Sequence, residues 1–384
     1  MVTLRARVGR RLRYSAAMRA VVLTGHGGLD RLELRTDWPR PEAGRGEVLI
    51  RVGACGINNT DANTRTGWYS KSVRGATTGE PLVAADAADG AWEGGALRFP
   101  FVQGADVVGI VVAVGPEADA ALIGRRVLVD PWLRDPADPL DPELCTFLGT
   151  DRDGGFAELV AVPAANVHPI SSPLSDAELA TVATSSLTAE NMLDRADADA
   201  GDVVLVPGAS GGVGSALVQL ARRRGATVVA LAAEPKHAAV AVLGADVVLP
   251  RTPDDLAAAL TAAIGRATVS VVADVVGGPD WPRLLDVLAR GGRYVGSGAI
   301  AGPIVELDLR TLYLRDLTLF GATVVPPGTF ARLVGYVERG ELRPVLADAY
   351  PLERLREAQA AFLAKRHVGG IAVTVAADTP SPVA

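Results

Sequence analysis

Apolar positions fall into two styles along the chain. From Met18 to about His168 they come as short β-branched runs closed by glycine or proline, such as EVLIRVGACGI, VVGIVVAVG, IGRRVLVD and GGFAELVAVPAANV. Runs of this kind predict short strands in a largely antiparallel β domain with few helices. Residues 70–98 break the pattern. They are rich in Ala, Gly and Asp and carry no period, which predicts a long loop or lid.

From about Pro169 the period lengthens. DAELATVATSSLTAENMLDRA is helical in spacing, and DVVLVPGASGGVGSALVQLARRRGATVVALAAE reads as strand, glycine-rich turn, helix and strand. VSVVADVVGG and GGRYVGSGAI add two apolar strands with a helix between them. Strands alternating with helices predict a parallel, doubly wound sheet. From Pro326 on, TFARLVGYVERG and LERLREAQAAFLA predict helices and GGIAVTVA a closing strand that returns to the first domain. The expected division is 18–168 with 326–384 as one domain and 169–325 as the other. No internal repeat is visible.

Composition narrows the class. A chain of 384 residues, 49% apolar and 21% charged, suits about two soluble domains. A net charge of -6 and 5% aromatics argue against nucleic acid as a partner, which needs a basic surface and stacking platforms. No apolar run reaches the length of a membrane span. Two cysteines, Cys55 and Cys145, in a chain with a large core suggest a reduced, cytoplasmic protein. Residues 1–17 hold five arginines and no acid, and read as a disordered extension, with an organelle-targeting segment as the alternative.

The sharpest chemical signal is VVLVPGASGGVGSALVQLA, residues 203–221. A buried strand runs into glycines and then into a helix, the context of a dinucleotide site. Gly211 and Gly212 would let the backbone approach a pyrophosphate, and Gly214 would let the helix pack on its strand. The helix N-terminus offers free N–H groups and a positive dipole end. The next strand, TVVALAAE, ends on Ala232 and Ala233, where an acid would hold the ribose hydroxyls of NAD. Lys236 follows and could pair with a 2′-phosphate. This favours NADPH over NADH, although Glu234 is an acid one or two positions late. Gly296, Ser297 and Gly298 would let a nicotinamide ring lie flat against a strand end.

These pieces in this order resemble the medium-chain dehydrogenase/reductase superfamily, over nearly the whole stretch from Met18 to about Ala376. The blocks that carry the resemblance are GINNTD, GADVVGIVVAVG, DGGFAELVAVP, SLTAENML, GASGGVG and LRDLTLFGATV. It implies an α/β protein: a GroES-like β domain plus a Rossmann doubly wound parallel-sheet domain, with a cleft between them. The cofactor-binding residues it implies are Thr188, Ala209, Ser210, Gly211, Gly212, Val213, Gly214, Ala232, Lys236, Val276, Gly277, Gly298, Ala299 and Ile300.

The resemblance departs at the metal. Zinc-dependent members carry their ligands where this chain has Asn58, Ala105 and Thr184, and none of these is a Cys or His. Cys55 lies three residues too early and reads as a small core residue. The cysteine cluster of a structural zinc lobe is missing too. The expectation is therefore no zinc.

Without a Lewis acid, the chemistry that remains suits substrates already poor in electrons, namely quinones and conjugated C=C or C=O groups. The catalytic candidates are Tyr69, Asn58 and Thr60, as donors to an oxygen that gains charge. Asp61 reads as an acceptor that pins the loop, and Asp106 as a supporting acid. His26, His168, His237 and His367 stand in no catalytic-looking block. Near the C-terminus Gly370 replaces the lysine usual in the family. Residues 70–98 are expected to fold over the cleft and set acceptor size. LRDLTLFGATVV is the expected edge of a homodimer. Rival readings are a metal-free alcohol or aldehyde dehydrogenase, a catalytically weak NADPH-binding sensor or structural protein, and a module of a larger synthase.

Overall fold

β-branched residues favour extended backbone, and up to Pro169 the regular elements are strands, apart from one helix and short 3-10 turns. The computed structural model describes residues 17–77, 88, 90, 91 and 96–375. The expected extension over 1–17 lies outside these, apart from Ala17. So do 78–87, 89 and 92–95 of the expected lid.

Strands β1 (Ala17–Leu23), β2 (Leu32–Pro39) and β3 (Glu47–Ile57) lead into helix α1 (Asn59–Thr66). Then follow β4 (Phe101–Val102), β5 (Asp106–Val114), β6 (Arg126–Val129), β7 (Trp132–Leu133), β8 (Thr146–Phe147), β9 (Leu159–Pro163) and β10 (Val167–Pro169). β1 pairs antiparallel with β2 and β4. β3 sits centrally in a larger sheet, antiparallel to β5 and β9. Its Val48, Ile50, Val52 and Cys55 are buried in one cluster with Val107, Val127 and Val160. Cys55 is thus a core residue.

Helices α2 (Asp176–Leu179) and α3 (Ala183–Arg195) open the second half. There follow β11 (Val203–Pro207), α4 (Gly212–Arg223), β12 (Thr227–Ala232), α5 (His237–Val242), β13 (Val247–Pro250), α6 (Leu256–Ile264), β14 (Val269–Asp274), α7 (Trp281–Asp286), β15 (Leu288–Gly296), α8 (Leu309–Leu314) and β16 (Thr318–Gly321). The strand order is β13-β12-β11-β14-β15-β16, parallel throughout. Val204 and Val206 pack on Leu187 and Met192 of α3 and Leu217 of α4, whereas Val203 and Leu205 pack on Leu260 and Leu285 from the other side. A sheet covered on both faces needs an unbroken apolar strand rather than an alternating one, which explains the run VVLVP.

The chain then returns. α9 (Thr329–Glu338) packs on α3 through Phe330 and Leu333. β17 (Leu346–Pro351), α10 (Leu355–Leu363) and β18 (Gly370–Thr374) complete it. β18 joins the edge of β3 antiparallel, so the last strand closes the sheet of the first domain. That return carries residues 365–370 past the glycine-rich turn.

Candidate active site

β3 ends at Ile57 and the chain turns at Asn58 into α1. Asn58 is extended and caps the helix, and its backbone N–H donates to Asp61 Oδ2 at 2.7 Å. Asp61 therefore pins this turn. α1 reads NTDANTRT, yet residues 61–66 are all buried. Buried polar groups persist where each finds a partner. Arg65, fully buried, donates to Gln359 Oε1 at 3.0 Å and to the Gly27 carbonyl at 2.8 Å, and Gln103 Nε2 donates to the Asp61 carbonyl at 2.9 Å. The helix thus presents Asn58, Asn59, Thr60 and Asn63 from a rigid base to a cleft between the domains.

That cleft holds a cavity of about 220 Å³. One wall is the predicted turn, Gly211, Gly212, Val213 and Gly214, with Gly208. The other walls include Asn58, Thr60, Tyr69, Thr188, Gly298, Ala299 and Ile300. The glycines do different work. A Cβ on Gly214 would lie 2.2 Å from the Gly208 carbonyl oxygen, so helix and turn could not close. A Cβ on Gly211 would meet nothing nearer than 3.6 Å, so the protein itself leaves that space open. An open backbone at the N-terminus of α4 suits an anionic ligand, and a dinucleotide fits these walls.

Ala209, Ser210, Ala232, Lys236, Val276 and Gly277 are not among the described residues that wall the cavity. Ala209 and Ala232 are buried. The amides of Val276 and Gly277 donate to Asp274 at 2.7 and 3.0 Å, and Tyr294 donates its hydroxyl to the same carboxylate at 2.9 Å. Those two amides shape the strand-end turn, and Val275 faces the cavity instead. Lys236 Nζ donates to the carbonyls of Lys365 and His367, each at 2.7 Å, with Ser210 Oγ at 3.5 Å. It fastens the returning chain to the cofactor domain. Arg251 lies close enough to lower the Lys236 pKa further, after burial.

Two of the three places held by zinc ligands in metal-dependent members, Asn58 and Thr184, meet at Asp106. The Thr184 hydroxyl donates to Asp106 Oδ1, and the Thr184 amide donates to the same oxygen at 3.0 Å. Burial pushes the Asp106 carboxyl up to about 6, with Thr184 and Asn58 opposing. Asn58 Nδ2 is buried without a hydrogen bond of ordinary geometry. Ala105, buried just before Asp106, has no side-chain donor atom. This donor set does not fit a catalytic zinc, which takes about three His, Cys or carboxylate ligands. Among the described residues no group of three or more His, Cys, Asp or Glu could hold a metal.

A second cavity, of about 250 Å³, shares Thr60, Tyr69, Thr184, Thr188 and Ser297 with the first. Its remaining walls are Thr64, Trp132, Phe147, Thr150 and Thr323. Trp132 and Phe147 meet edge to face at 5.0 Å between ring centroids. None of these described wall residues carries a charge. Burial pushes the Tyr69 phenol up to about 12, with a hydrogen bond to Asn63 opposing, so it stays protonated across the neutral range. Thr188 donates to the Thr184 carbonyl at 2.7 Å. The described start of the expected lid reaches the cofactor domain: the Thr77 amide donates to the Ile300 carbonyl at 2.9 Å.

Sequence reasoning missed Lys365 and His367, which both wall the first cavity. Lys365 Nζ donates to Asn59 Oδ1 at 2.9 Å and lies 3.7 Å from the centre of the Phe362 ring. Gly370 therefore does not leave the cleft without a lysine. The run KRHVGG held the signal, but only its arrival beside Ser210 reveals it.

Comparison with known proteins agrees with this fold. A family model described as alcohol dehydrogenase GroES-like domain matches residues 44–172, and one described as zinc-binding dehydrogenase matches 212–339. Quinone oxidoreductase of Lama guanicoe is 30% identical over 89% of this chain and 92% of its own. The crystal structure of a candidate alcohol dehydrogenase from Sinorhizobium meliloti 1021 is 45% identical, with a TM-score of 0.84 over 94% of this chain and 98% of that one. The 2-octenoyl-CoA carboxylase reductase CinF, solved with NADP and 2-octenoyl-CoA, is 26% identical, with a TM-score of 0.79 over 97% of this chain and 89% of its own. The chain is an oxidoreductase of the medium-chain dehydrogenase/reductase superfamily.

Proposed function

We propose that this protein is a zinc-independent, NADPH-dependent reductase of quinones or of conjugated C=C and C=O compounds. The observation that carries the reading is the hydroxyl-lined cavity at Tyr69 and Thr184, uncharged among its described residues, joined to the glycine-turn cleft where Asn58 and Thr184 stand in place of metal ligands. The reduced nicotinamide supplies the hydride. The chain's part is to bind and to donate. Trp132 and Phe147 offer apolar faces to a flat acceptor. The Tyr69 phenol and the Asn58 amide are the donors to the oxygen that gains charge, with Thr60 beside them. The absence of an acid at Ala232 and Ala233, and the cation Arg251 near Lys236, favour a 2′-phosphate.

Further features support the remaining parts of the reading. β16 is one open edge of the cofactor sheet, and Ile304, Leu309, Tyr313 and Leu314, which precede it in the chain, are exposed, which suits a homodimer. Cys55 and Cys145 are both buried and form no disulfide, as suits a reduced cytoplasmic protein. A neutral electrophilic small molecule is the expected partner.

Purified protein should first be assayed for zinc and then mixed with NADPH and a panel of quinones, enones and simple aldehydes. Consumption of NADPH with a quinone or an enone and no bound zinc is expected. Stoichiometric zinc, or turnover of simple aldehydes alone, would refute the reading. The latter result would favour the metal-free alcohol or aldehyde dehydrogenase.

A further inference from the structure

The returning chain brings a cation into the cleft that no other feature uses. Lys365 stands in the left-handed region at φ 53°, an uncommon conformation for a residue with a side chain. The loop is held there from both sides. Its Lys365 and His367 carbonyls accept from Lys236, and the Gly369 amide donates to the Ser210 carbonyl at 2.9 Å. The Lys365 ammonium donates to the neutral Asn59 amide oxygen and lies over Phe362. Among the described residues no carboxylate pairs with it. The charged and titratable groups facing it are Lys236, from the segment after β12, and His367, from its own loop. His367 Nδ1 is itself buried without a partner. A half-buried cation with no counter-ion is costly unless an anion completes the site.

We propose that Lys365 supplies the cationic contact to the pyrophosphate of the dinucleotide, in the same cavity as Gly211 and Gly212. This rests on the cofactor reading above and deepens it. Pyrophosphate is favoured over a 2′-phosphate because Lys365 shares its cavity with the glycine turn, whereas Lys236 and Arg251 stand outside that cavity.

The site has a proton consequence. Burial, with Lys236 adding, lowers the Lys365 ammonium to about 7 in the unliganded protein. A bound phosphate favours the charged form and raises that value. Binding above neutral pH therefore takes up a proton, and affinity falls as pH rises through the unliganded value.

Calorimetric titration with NADPH and with NADH, in two buffers of different ionisation enthalpy at mildly alkaline pH, tests this. The wild-type protein should take up a large part of one proton with either cofactor. Lys365→Arg, charged at every accessible pH, should bind both and take up none. Lys365→Met should weaken both by roughly 10- to 100-fold, with its melting temperature checking the fold. Tight wild-type binding without uptake, an unchanged Lys365→Met, or loss confined to NADPH would overturn the assignment. If the wild type binds neither cofactor, the cofactor reading itself fails.

Discussion

Lys236 Nζ and the carbonyl oxygen of His367 lie 2.7 Å apart, across the boundary between the cofactor domain and the returning chain. The lysine that stands where a 2′-phosphate partner is expected thus spends hydrogen bonds on a loop 131 residues away. Lys236→Met should loosen residues 365–370 and weaken NADPH and NADH together, by about tenfold. Arg251→Ala should act on NADPH alone, by several-fold. Parallel fluorescence titrations of the two variants check both outcomes, and a Lys236→Met that spares NADH would argue against the clasp.

Two glycines of one turn should respond oppositely to alanine. Gly214→Ala forces a Cβ to 2.2 Å from a backbone oxygen and should cost about 1–3 kcal/mol of stability. Gly211→Ala meets nothing nearer than 3.6 Å, so its melting temperature should hold while cofactor affinity drops. Thermal melts with and without NADPH separate the two.

Tyr69 tests the chemistry. Tyr69→Phe keeps the ring and removes the donor, and should lower kcat on the order of a hundredfold with NADPH affinity intact. Because burial holds the phenol near 12, the wild-type rate should show no ionisation of Tyr69 between mildly acid and mildly alkaline pH. An unchanged kcat in the variant would remove Tyr69 from the site's chemistry.

Asp106 should leave a mark on stability. Its folded value, raised by burial from 3.8 to about 6, means that the folded state holds the proton more tightly than the unfolded one. Its contribution is therefore most favourable below 3.8 and is lost as pH rises to about 6. Asp106→Asn keeps an acceptor for Thr184 and removes the charge. Its melting temperature relative to wild type should rise through that window and level off above it. A flat difference across the window would mean that the carboxyl is not perturbed.

The strands and the glycine turn were legible because period and burial coincide there: VVLVP is apolar throughout because both its faces are covered. α1 was not legible by period. Its buried face is Asp, Asn, Thr and Arg, and only tertiary partners such as Gln359 and the Gly27 carbonyl make that burial tolerable. The resemblance implies a cofactor contact at Val276 and Gly277, whose amides donate to the Asp274 carboxylate. Lys365 and His367 lay hidden because their place depends on how the returning chain docks, a long-range contact that local pattern does not encode. The same holds for Trp132 and Phe147, brought together by the short β7–β8 pairing.

The most direct test of the central claim is the rate of NADPH oxidation with a quinone, measured on protein stripped by a chelator and shown to be free of zinc. Undiminished turnover after stripping is the predicted result. Activity that vanishes with the metal and returns with added zinc would contradict it.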